Sequence, residues 1–128
     1  MKMLHEWINK RYLNERNINK INRLFLKSKP YPNFVLNNFF NENKLSKVKK
    51  AVLKEKFGRI EKDLFSLSHT KDLASSSKHV NEFYKFLSSK EFIELMGQLT
   101  NENLSQKIDM QSHTMVQGNY LLFHDDEL

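Results

Sequence analysis

Between Val80 and Leu99 the apolar residues Phe83, Phe86, Leu87, Phe92, Ile93, Leu95 and Met96 recur at three- and four-residue steps. That period is the helical one, and it lays these side chains along one broad face that must be buried. A chain carrying it folds around a helical core. Ser88 and Ser89 interrupt the run, and a serine oxygen readily accepts from the exposed N–H groups of a helix start, so two helices are expected, the second capped by Ser89. A further amphipathic helix is expected over residues 3–27, where Leu4, Trp7, Ile8, Ile18, Ile21, Leu24 and Phe25 keep similar spacing. Its several asparagines lower helix propensity, so it needs a surface to lie on. Pro30 and Pro32 end it, because each disfavours helix at the preceding residue. Asn41 is placed to cap another helix running to about Phe57, with Leu45, Val48, Val52 and Leu53 inward and Gly58 as its stop.

Other segments read as extended. The β-branched and aromatic centre of the stretch Pro30–Phe40 predicts a short strand. Residues 59–70 are ambiguous by period, with an extended piece expected around Leu64–Leu67, and residues 74–78 are a loop or a helix start. Residues 108–117 alternate weakly and residues 120–123 are apolar; the Gly118-Asn119 pair between them predicts a β-hairpin. The fold class is therefore α+β, and 128 residues make at most one ordinary domain. With no cysteine, disulfides, thiolate catalysis and zinc–thiolate sites are excluded. No apolar run reaches the roughly 18–20 residues that cross a bilayer, and the N-terminus lacks a secretory pattern. A cytoplasmic setting without a membrane partner is expected. The closing Asp125-Asp126-Glu127-Leu128 is close to a lumenal retention signal, but nothing in the sequence directs the chain to a lumen.

The net charge of +6 is unevenly spread. Residues 1–62 hold 16 Lys or Arg against 5 Glu, a net of +11, and residues 63–128 hold 5 Lys against 10 acids, a net of −5. A basic half can serve RNA or an acidic partner as a non-enzymatic binding module. These cations are mostly lysines scattered among asparagines, so solvated helix faces are the expected reading and nucleic acid is not the expected partner.

The stretch Tyr120–Leu128, YLLFHDDEL, carries the chemistry. It places His124 and Asp126 two positions apart at the end of an apolar run. On a strand, side chains at i and i+2 point the same way about 7 Å apart, so both groups can face one ion. One imidazole and one carboxylate are two of the three ligands of the facial triad that holds non-haem Fe(II). Only Glu127 and Leu128 follow, so a later ligand is expected from elsewhere. His5, His69, His79 and His113 are scattered and read as ordinary histidines, although the predicted hairpin would let His113 approach His124.

The segment IDMQSHTMVQGNYLLFHDDEL, together with PYPNFVLNNFF and DLFSLSHTKDL, resembles the 2-oxoglutarate- and Fe(II)-dependent prolyl hydroxylases. The group it looks most like modifies a proline in a small-subunit ribosomal protein. The resemblance runs from about Lys29 to the C-terminus in collinear order. It implies helices packed on the first strands of an incomplete double-stranded β-helix, or jelly roll: residues 1–28 as an N-terminal helical segment, residues 29–128 as a truncated oxygenase domain. It implies Fe(II), 2-oxoglutarate and ascorbate as cofactors, with His124 and Asp126 as the first two iron ligands and a prolyl residue as substrate. The family's distal histidine and the basic residue that grips 2-oxoglutarate have no counterpart in residues 1–128, so the chain alone is expected to be catalytically incomplete and to require a second chain carrying the remaining strands. The slot of the family's co-substrate-binding tyrosine holds Met115, which leaves Tyr120 as the candidate to take that role.

Overall fold

Asparagines divide the long N-terminal helix expected from periodicity into three pieces. In the computed structural model, which describes residues 2–73 and 77–124, helix α1 (Lys2–Trp7) stops where Ile8 swings out to bridge Phe40. The Asn9 N–H donates to Phe39 O at 2.8 Å and the Asn41 N–H to Trp7 O at 2.7 Å. The Asn9 side chain then accepts from the Arg11 N–H to start a 3-10 turn (Lys10–Tyr12). Asn14 does the same for the Asn17 N–H and opens α2 (Glu15–Lys27). Asparagine competes for backbone groups inside a helix and satisfies them at its ends, so Asn9 and Asn14 become caps.

The strand expected between Pro30 and Phe40 does not form beyond the single bridge at Phe40. Residues 37–38 turn instead, with Asn38 at a φ of 52°, and the Asn37 carbonyl is held by the Tyr12 hydroxyl at 2.5 Å and by the Arg11 guanidinium. Asn41 caps α3 (Glu42–Val52) as expected, its Oδ1 accepting from the Lys44 N–H at 3.2 Å. That helix ends at Val52, short of Phe57, and Gly58 begins a strand rather than stopping the helix.

Helices α4 (Lys78–Leu87) and α5 (Lys90–Thr100) are divided at the two serines, and Ser89 Oγ accepts from the Phe92 N–H at 3.2 Å. In the first turn of α5 the Glu91 carboxyl is held below its ordinary value, chiefly by a hydrogen bond to its own backbone N–H. The apolar faces meet in one aromatic core. Trp7 stacks on Phe86 with centroids 5.2 Å apart and planes 15° from parallel, and Phe92 lies 4.8 Å from Phe86. Phe40 meets Phe83 and Phe86 edge-on. Leu4, Ile8, Tyr12, Phe39, Val48, Leu95 and Leu99 complete the core, so α1, the 3-10 turn, α3, α4 and α5 all contribute to it.

The sheet is antiparallel, which with the five helices makes the protein α+β. Strands β1 (Gly58–Lys62) and β2 (Phe65–His69) form a hairpin through Asp63 and Leu64, with Lys62 opposite Phe65 and Gly58 opposite His69. Strands β3 (His113–Thr114) and β4 (Tyr120–Leu121) do not pair with each other, contrary to the expected hairpin. Both pair with β2, on the edge opposite β1.

Phe86 is fully buried at the centre of the ring cluster, so Phe86→Ala is expected to cost about 3–5 kcal/mol. Ser89→Ala, which removes the cap and the hydroxyl's bond to Phe86 O, is expected to cost about 1 kcal/mol. Urea denaturation followed by far-ultraviolet circular dichroism separates the two.

Candidate metal-binding site

The position of His124 follows from how β2 recruits the two segments before it. Ser68 and His69 face Thr114 and His113, while Phe65 and Ser66 face Leu121 and Tyr120, so residues 115–119 stand opposite Leu67 alone. They leave the strand as a tight turn. The Asn119 N–H donates to Val116 O at 2.9 Å, Asn119 Oδ1 accepts from the Val116 N–H at 2.9 Å, and Asn119 Nδ2 reaches Ser66 Oγ at 3.5 Å. Gly118 takes a φ of 90°, a conformation that side chains disfavour. The Gly-Asn signal thus marks a real turn, but one inserted within a pairing partner of β2 rather than one joining two mutually paired strands.

After the turn, β4 brings Tyr120 opposite Ser66, and the Tyr120 hydroxyl donates to the Lys62 carbonyl at 3.0 Å, reaching across β2 to β1. Its one O–H is therefore engaged with the backbone, and donation to a co-substrate carboxylate requires that bond to open. The Leu122 N–H donates to Leu64 O at 2.7 Å, the last ladder-like bond, and the chain then bends at Phe123. His124 lies beyond the strand in irregular, exposed backbone, with Nδ1 2.9 Å from Leu122 O. A neutral ring making that bond carries its proton on Nδ1 and its lone pair on Nε2, the arrangement by which a backbone carbonyl orients a metal-binding histidine. Asp126 lies outside the described residues. Among the described residues no group of three His, Cys, Asp or Glu side chains converges as a metal cage.

The pairing of β2 also separates residues that the hairpin would have joined. His113 does not approach His124. It faces His69 across the ladder, with ring centroids 6.1 Å apart, at the end of β2 away from the point where β4 departs. This pair was invisible in the sequence, because 43 intervening residues hide a contact that only strand register creates. The Thr70 N–H to Ser112 O bond (2.9 Å) and the return bond from the Ser112 N–H to Thr70 Oγ1 (3.0 Å) hold that end together.

A groove of about 1080 Å³ lies elsewhere. It opens on the helical side among His5, Asn9, Phe34, Phe40, Phe92 and Met96 and includes neither Tyr120 nor His124. The sheet end carries bare apolar surface instead: Leu121 and Leu122 are about half exposed and Phe123 fully so.

No protein-family model matches the chain, and no curated protein matches it in sequence.

The left-handed backbone at Gly118 predicts a local effect. Gly118→Val is expected to cost about 1–3 kcal/mol and to loosen β4 without melting the helices. Faster amide hydrogen exchange at Leu122, with unchanged exchange in α4 and α5, is the expected result.

Proposed function

We propose that the protein is the ligand-bearing front portion of a 2-oxoglutarate- and Fe(II)-dependent prolyl-hydroxylase-like dioxygenase, with its antiparallel sheet forming the first strands of a double-stranded β-helix. The observation that carries this reading is the stretch Tyr120–His124. An apolar segment pairs on the edge of the sheet, leaves Leu121, Leu122 and Phe123 exposed, and ends at a histidine whose Nδ1 is engaged by a backbone carbonyl. A strand built for the interior of a barrel has these features where its packing neighbours come from outside residues 1–128.

In this reading His124 and Asp126 provide two ligands, and the hydrogen bond at Leu122 O fixes the ring that presents the first. Tyr120 borders the same segment, and its hydroxyl can exchange the Lys62 carbonyl for a co-substrate carboxylate. Fe(II) with 2-oxoglutarate and dioxygen, when bound, supplies the oxidation: the co-substrate yields succinate and carbon dioxide, and one oxygen atom enters a prolyl C–H bond as hydroxyl. The third ligand and the basic anchor must come from outside residues 1–128, on further chain or a second polypeptide, and activity depends on that addition. A prolyl residue of a ribosomal protein is the substrate that the resemblance indicates.

Two protein ligands hold an ion weakly, so the test must detect weak binding. Mn(II) takes the same nitrogen and oxygen ligands as Fe(II) without reacting with oxygen. Added to isotope-labelled protein, it is expected to broaden the amide signals of residues 122–126 selectively, and His124→Ala is expected to abolish this while His113→Ala leaves it unchanged. Broadening centred elsewhere, or equal in the His124→Ala variant, removes the basis for the metal-site reading.

A further inference from the structure

The cations of the N-terminal half look scattered in the sequence, yet α2 gathers four of them into a line. Arg16, Lys20, Arg23 and Lys27 sit at i, i+4, i+7 and i+11, and at 100° per residue all four fall within about 60° of the helix circumference. All four are exposed. Arg23 Nε reaches only the Asn19 carbonyl of its own helix, at 3.3 Å, and none of the four joins an ion pair among the described residues. The one acid of α2, Glu15, lies about 100° away from Arg16 around the helix.

The opposite face is committed. Ile18 and Ile21 pack on the core, Phe25 lies against Phe34 with centroids 5.2 Å apart, and Asn22 Nδ2 donates to Leu99 O at 3.1 Å. This helix cannot turn its apolar face to a membrane without leaving α5. The row is therefore a fixed rail of positive charge about 16 Å long, with a cation roughly every 5–6 Å.

We infer that this face of α2 binds the phosphodiester backbone of a nucleic acid strand. A protein–protein contact has an apolar or aromatic centre and a charged rim. Here the order is reversed, with charges at the centre and Leu24 and Leu26 exposed at the flanks. Helix α2 itself offers no aromatic ring on its basic face to stack a base, because Phe25 packs against Phe34 on the other side. Binding is thus electrostatic and independent of sequence, and each phosphate contact releases condensed counterions. The inference stands on α2 alone and does not require the oxygenase reading.

Fluorescence anisotropy with a labelled 20-nucleotide single-stranded RNA, and separately with a DNA duplex, over 50–200 mM KCl tests it using the full chain. Four contacts give a slope of log K against log salt of about −3 for a single strand and about −3.6 for a duplex, a loss of roughly 50- to 150-fold over that range. The steeper binding curve at a given salt identifies which form the rail prefers. Replacing Arg16, Lys20, Arg23 and Lys27 together by Gln, which retains helix propensity, is expected to flatten the slope by about 3. Replacing Lys47, Lys50 and Lys54 by Gln removes three cations from the α3 region and is expected to leave the slope nearly unchanged. Circular dichroism verifies that both variants keep their helices. Equal flattening in the two variants, no effect of the α2 variant, or binding that goes to phosphatidylserine vesicles and not to either nucleic acid each overturns the inference.

Discussion

The stack of Trp7 on Phe86 is the contact on which the rest of the structure depends. It presses the first helix onto α4, and the neighbouring bridge between Ile8 and Phe40 fixes that contact with two backbone hydrogen bonds. Three further phenylalanine rings, from residues 40, 83 and 92, close around the stack. Offset and edge-on ring pairs add about 0.5–1.5 kcal/mol each beyond their area burial. Lys44 sits 4.6 Å from the centre of the Trp7 ring and 3.5 Å from Glu6, covering the outer side of the indole with a partly exposed cation. Once α1 is fixed, the 3-10 turn and Asn14 set the direction of α2, and Asn22 ties that helix to the end of α5. The outward direction of the basic rail is thus a consequence of how the aromatic core holds the helices on either side of it.

The sheet depends on a different economy of bonding. Strand β2 is saturated on one edge by β1, while its other edge is shared between two short pieces of chain four residues out of register with each other. The turn at residues 115–119 absorbs the mismatch, and Asn119 makes the detour tolerable by bonding both to Val116 and to Ser66 of β2. The result sends His113 to His69 and carries His124 off the far end of the sheet.

Capping chemistry was legible in the sequence and register was not. Ser89 and Asn41 announce helix starts because one side-chain oxygen three residues before an N–H is a local arrangement. Asn9 and Asn14 carry the same local signal, but the apolar period runs through both and masks it. The β1–β2 hairpin escaped notice because its turn, Asp63-Leu64, lacks the Gly or Asn that marks a two-residue loop. Gly118-Asn119 has that signature but serves another purpose, since the partner choice of each flank is made by β2, about 50 residues earlier. The basic rail is hidden for a simpler reason: asparagines separate its charges along the chain, whereas Arg16, Lys20, Arg23 and Lys27 coincide only around the helix. At the candidate metal site Tyr120 and His124 were legible as residues, but they do not share a strand, because β4 stops at Leu121 and His124 lies beyond it.

Charge distribution separates the demands of the two proposed sites. Residues 108–128 contain no Lys or Arg, so the surroundings of His124 favour a metal cation but offer no local counter-charge to a dianionic co-substrate. Lys62 is brought to this end of the sheet through its carbonyl bond to Tyr120, yet its ammonium lies over the Phe65 ring, 5.8 Å from the ring centre. Such a contact is worth only about 0.5–1 kcal/mol at an exposed site. Metal affinity and co-substrate affinity are therefore expected to be separable in residues 1–128: the ion needs an imidazole and a carboxylate, whereas the dianion needs a fixed cation that this segment lacks. The basic half does not fill that need from α2, because its rail is anchored to α5 through the far face of the helix. Under the oxygenase reading, then, the element that closes the barrel must bring positive charge as well as a third ligand.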